Sequence, residues 1–111
     1  MATRYVRNFS FKASLTDAEL AAELKVLLNE GIPAVKKVRG VQDCRLFSGS
    51  GALRADLTIT IDMDDAGVYE RLLVSPELRP ILARMYGAWD LQSASQRFGR
   101  EVTPELVAAL S

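Results

Sequence analysis

Histidine is absent from this 111-residue chain. The chain therefore lacks the side chain most often used as general base, proton shuttle and metal ligand near neutral pH. A Ser-His-Asp or Cys-His mechanism cannot be built within it. A zinc site would have to be assembled from one cysteine and carboxylates, a poor donor set. Cysteine occurs once, at Cys44, so no internal disulfide forms and the composition suits a reducing compartment. No apolar run is long enough to cross a bilayer. The first residues, Met-Ala-Thr-Arg-Tyr-Val-Arg-Asn, lack the hydrophobic centre of a signal peptide. These features predict a cytoplasmic location with no membrane partner.

Net charge is missing as well. Fourteen basic and fourteen acidic residues cancel, which argues against a general polyanion binder. An apolar fraction of 49% and a charged fraction of 25% are those of a folded globular chain rather than a disordered one. The length predicts one domain spanning residues 1–111.

The strongest positive signal is Leu53 to Met63. Apolar residues fill 53, 55, 57, 59, 61 and 63, while Arg54, Asp56, Thr58, Thr60 and Asp62 stand between them. That period of two predicts a strand over 53–63 with one dry face and one polar face. Tyr5 to Ala13 reads as a first strand, with Tyr5, Arg7, Phe9, Phe11 and Ala13 on one side. Val6, Asn8, Ser10 and Lys12 fall on the other. Thr16-Asp17-Ala18-Glu19 is a capping box, followed by an apolar stripe at Leu20, Leu24, Leu27 and Leu28. Gly31 and Pro33 are expected to end that helix. Val41 to Phe47 is the second strand, and Gly49-Ser50-Gly51 turns the chain back.

A second helix should be capped by Asp62 or Asp64 and use Val68, Tyr69, Leu72 and Leu73. Ser75-Pro76-Glu77 restarts it, with Pro80 an alternative start, and Gly87 stops it. Trp89 to Phe98 is a fourth strand, and Thr103-Pro104-Glu105 opens a short C-terminal helical tail. The order is βαββαβ. That is the ferredoxin-like α+β plan, a four-stranded antiparallel sheet with two helices on one face. Leu57 and Ile59 should carry the stability, packed on Leu24 and Leu28.

With the Gly40-Val41-Gln42 lead-in to the second strand and the broken helix at Val74-Ser75-Pro76-Glu77, this arrangement resembles the dimeric α+β barrel superfamily. That superfamily includes antibiotic-biosynthesis monooxygenase-like and stress-responsive barrel proteins. The resemblance spans roughly residues 5 to 98. It implies a homodimer closed by sheet-face contact and a small-molecule cleft between sheet and helices. Cofactor-free oxygenases of the group carry an Asn-Trp-His set. Asn8 and Trp89 are the candidates here, and no histidine completes the set.

The expected ligand contacts are Asn8, Tyr69, Tyr86 and Trp89, with the cleft beside the second helix. Aromatics of this kind also serve simply as core, and the polar sheet positions also serve as cross-strand pairs. Asp43, Asp56 and Tyr86 are available to handle a proton, and nothing selects one of them. Cys44, with no basic neighbour on its own face, reads as an inert buried thiol. Asp62, Asp64 and Asp65 suit caps better than a hard metal. Lys36, Lys37 and Arg39 read as a solvated turn. The exposed positions of the 53–63 strand hold no aromatics, which argues against stacking nucleic-acid bases. Two functions remain open. One is a cofactor-free enzyme acting on an aromatic or polyketide-like compound. The other is a non-catalytic accessory or binding dimer.

Overall fold

The computed structural model describes residues 2–49 and 53–110. It contains β1 (Thr3–Phe11), α1 (Asp17–Val26), a π-helical turn (Leu27–Gly31), α2 (Ile32–Lys36), β2 (Val41–Ser48) and β3 (Leu57–Met63). After these come α3 (Val68–Leu73), α4 (Arg79–Ala88), β4 (Trp89–Arg100) and α5 (Pro104–Ala108). The strands form one antiparallel sheet in the order β2-β3-β1-β4. This is the expected ferredoxin-like α+β architecture. Among the described residues, no helix is long and apolar enough to cross a membrane.

Cross-strand register decides which residues share a face. Tyr5 lies opposite Ile61, which lies opposite Cys44. Arg7 lies opposite Ile59 on one side and Gln96 on the other. Tyr5, Phe9, Phe11, Leu57, Ile61 and Met63 are all buried beneath the helices. Each removes apolar surface worth about 1.5–3 kcal/mol for a large side chain. Leu57 and Ile59 are in this core, as the alternation requires.

Several local expectations change. The strand begins at Leu57, not Leu53, because Asp56 takes a left-handed backbone, φ 56°. Its N–H meets Ser10 Oγ, and Arg54 leaves the sheet to pair with Asp17 at 3.0 Å. Arg54 and Asp56 are thus not part of a polar sheet face. The Ser50 and Gly51 part of the expected turn lies outside the described residues. The first helix does not end at Gly31. The turn widens, so that the Ile32 N–H reaches back to the Leu27 carbonyl, and the chain continues as α2. Pro33 occupies an early position of α2, where its missing N–H is tolerated. The shift in phase turns Leu28 outward, leaving it exposed, while Leu24 still packs on the core.

Neither Asp62 nor Asp64 caps the next helix. Asp62 pairs with Arg4, Asp64 accepts from Gln42, and it is Asp65 that receives the Gly67 N–H. Ser75 does not restart the helix as such, and Pro80 sits in the first turn of α4. Gly87 lies within α4, with nothing nearby that an added Cβ would touch. The helix runs through Ala88 and becomes β4 at the next residue, Trp89, whose ψ is 147°.

Candidate functional site

A cavity of about 100 Å³ lies between the helix-facing side of the sheet and the helices. Its sheet wall is Tyr5, Arg7, Cys44, Ile59, Ile61 and Trp89. Its helical wall comes from both long helices. Leu27 and Gly31 belong to the π-helical turn, Ile32 to α2, and Ile81, Leu82 and Met85 to α4. The widened turn shapes this wall, since a π-helical turn displaces one helical face relative to the next. Gly31 there allows a close approach: an added Cβ would stand 3.4 Å from Ile81 Cγ2. Leu73 and Tyr86, both about half exposed, sit at the rim.

The lining is apolar except at one end. Trp89 is 2% exposed and stacks on Phe9, with ring centroids 3.8 Å apart. The Arg7 guanidinium carbon lies 5.2 Å from the Trp89 ring centroid, a cation–π distance. Arg7 Nη1 donates to Tyr5 Oη at 3.3 Å and to Gln96 Oε1 at 3.2 Å, and Tyr5 Oη donates to Gln96 Oε1 at 2.7 Å. The Tyr69 ring packs 4.9 Å from that of Tyr5. Two buried donors at this end, Arg7 Nε and Trp89 Nε1, have no acceptor among the described residues. Buried N–H groups nearly always have a partner, so a pair of orphans beside one cavity is informative.

Burial, and after it the neighbouring Tyr5 phenol, push the Tyr69 hydroxyl up to about 12. Burial likewise pushes the Cys44 thiol up to about 11. Both therefore stand protonated at neutral pH. Tyr69 is a donor there rather than a base, and Cys44 is not a thiolate nucleophile.

The structure brings Tyr69, Tyr86 and Trp89 together in the cavity lining and leaves Asn8 out. Asn8 is on the opposite sheet face, where its side-chain carbonyl accepts from Thr58 Oγ1 at 2.7 Å. Asp43 also stands outside the lining, bound to the Cys44 N–H and paired with Arg45 and Lys36. Lys37 pairs with Glu77, and the Arg39 carbonyl accepts from Arg71. Asp62, Asp64 and Asp65 each serve a different partner and form no cluster. Arg7 is the site residue that sequence reasoning passed over, although a single charge on an otherwise apolar strand face was a usable signal.

No protein-family model and no curated protein matches the chain. Solved structures do. A dimeric protein of unknown function with a ferredoxin-like fold from Bacteroides fragilis superposes with a TM-score of 0.74 at 11% identity, covering 90% of this chain and 96% of that one. SnoaB, a cofactor-independent oxygenase from Streptomyces nogalater, gives 0.70 at 12% identity, covering 93% and 97%. A dimeric ferredoxin-like protein of unknown function from Thermobifida fusca gives 0.70 at 16% identity, covering 91% and 92%. What these likenesses share with the chain is the fold, a ferredoxin-like α+β plan.

Proposed function

We propose that the whole chain acts as one small-molecule-binding domain, with a ring compound as ligand and the cavity beside Trp89 as its site. The observation that carries this reading is the apolar cavity itself, walled by Trp89, Tyr5 and Tyr69 and open at Tyr86. A dry apolar cavity of roughly 150 Å³ takes up benzene, so about 100 Å³ suits a single small ring or one end of a longer molecule. Proton handling argues for binding before catalysis. Among the described residues no carboxylate lines the cavity, and the Tyr69 phenol is held protonated.

A second reading, a cofactor-free enzyme on an aromatic or polyketide-like compound, draws support from the fold shared with SnoaB, itself a cofactor-independent oxygenase. On this reading the substrate must be acidic enough to lose its own proton. Trp89 is the only tryptophan, so its fluorescence reports the site alone. Titration with single-ring aromatics should change that signal saturably, and Met85→Phe, which narrows the cavity without adding a second indole, should abolish the change. Oxygen uptake with a hydroxylated aromatic separates the two readings. Saturable binding without uptake supports the binding module, and uptake lost in Trp89→Phe supports the enzyme. A signal that never saturates would end both.

The same reading includes a homodimer working in the cytoplasm, where the lone thiol of Cys44 stays reduced. Its support is the sheet face away from the helices, which carries Asn8, Thr58 and Arg4–Asp62 pairs able to meet a second copy. The dimeric state of the Bacteroides and Thermobifida proteins points the same way.

A further inference from the structure

Arg7 is a charge without a counter-charge. Among the described residues it forms no ion pair. Its Nη1 meets only the neutral oxygens of Tyr5 and Gln96, and its Nε is buried without an acceptor. Trp89, 2% exposed, holds a second orphan donor at Nε1. Among the described residues the lining offers no carboxylate to either. A partly buried cation in apolar surroundings is stable only if an opposite charge or several hydrogen bonds satisfy it. Here Arg7 Nε and the Trp89 indole N–H, both on residues that line the cavity, have no acceptor among the described residues.

We propose that the ligand is a small ring compound carrying one anionic oxygen function, a carboxylate or a phenolate, bound against Arg7 Nε and Trp89 Nε1. The ring itself packs among Leu72, Ile81 and Met85. This rests on the small-molecule reading of the cavity and adds the charge that selects the ligand. Such a ligand would accept a charge-assisted hydrogen bond from Arg7 and a second one from the neutral indole N–H. Tyr5 and Gln96 act as positioning residues, since they hold Nη1 and so leave Nε to face the ligand.

The test uses the indole N–H signal of Trp89 in a ¹⁵N–¹H spectrum, which has one source. Benzoate and 4-nitrophenolate are compared with their neutral counterparts benzamide and nitrobenzene. Both anions, or the one of the two that matches the site, should shift the signal saturably and bind roughly tenfold or more tighter than their neutral counterparts. Preference for one anion tells carboxylate from phenolate. Arg7→Gln should bring the anions down to the level of the neutral compounds, and Arg7→Lys should recover part of the difference. Equal affinity of anion and neutral probe in the unaltered protein overturns the charge requirement while leaving the cleft standing. Arg7→Gln with undiminished benzoate affinity overturns it too. Failure of all four probes to move the signal overturns the cleft as well. The unaltered protein alone decides the first comparison, so a variant that fails to fold does not rescue the proposal.

Discussion

Trp89 shows how one side chain serves packing and site together. Its face stacks on Phe9 and its edge carries a donor that the core never satisfies. Leu57 has only the packing role. It is 1% exposed at the start of β3, so Leu57→Ala should cost about 2–5 kcal/mol in denaturant melts. A loss below about 1 kcal/mol, the size of a surface substitution, would contradict its place in the core. Cys44 supplies a pH signature. Its thiol is raised from an ordinary 9.0 to about 11, so the folded state keeps a proton that the unfolded chain loses. That contribution is whole below about pH 9 and declines as the pH climbs from 9 towards 11. Tyr69, raised from 10.0 to about 12, extends the decline over that higher range. Urea midpoints should therefore fall above pH 9, and Cys44→Ala should fall less steeply between pH 9 and 11. Parallel curves for the two proteins would remove the thiol from the explanation.

Helix ends and strand starts carry the next layer of specificity. The Thr16–Glu19 capping box forms as expected, with the Glu19 N–H donating to Thr16 Oγ1 at 3.1 Å and the Thr16 N–H to Glu19 Oε1 at 2.9 Å. Thr16→Ala should cost about 1 kcal/mol, read as a lowered melting temperature. Gly40 is less forgiving. It leads into β2 with φ +95°, and a Cβ there would stand 2.6 Å from Val68 Cγ2. Gly40→Ala should destabilise by more than the roughly 1–2 kcal/mol of left-handed strain alone, since the clash with α3 adds to it. A melting curve within error of the parent would mean the loop yields freely.

Where sequence and structure agree, the cause is periodicity backed by burial. Leu57, Ile59, Ile61 and Met63 alternate because the helices cover one face, and the capping box reports a local hydrogen-bond exchange. Where they part, the deciding contact is distant. Pro33 reads as a stop, yet a widened turn carries the helix past it to pack on β2. Gly87 reads as a stop, yet α4 continues because β4 is already paired with β1 at Phe11–Trp89. That Tyr69, Tyr86 and Trp89 lie together was legible, and they share one cavity lining. Arg7 was legible only as a face assignment, because its lack of a counter-charge among the described residues depends on what neighbouring strands place beside it.

At the scale of the molecule the chain is elongated, with extents of 54 × 31 × 20 Å and a radius of gyration of 15.4 Å. A compact domain of 100 residues is expected near 13 Å. Past β4, Val102, Val107 and Leu110 are exposed beside and on α5. Such an exposed apolar end gains burial if it lies on a second copy. Light scattering at micromolar concentration should accordingly give twice the 12.2 kDa of one chain. A mass of one chain would end the dimer and the sheet-face contact with it. The junction at Ala88–Trp89 then acquires a thermodynamic meaning. Helix, cavity-lining residue and strand follow one another with no loop between them, from the proposed cleft to the C-terminal segment. Occupancy and self-association would be linked quantities, each shifting the other by the same factor. Benzoate should lower the dimer dissociation constant, and dilution should weaken benzoate binding to match.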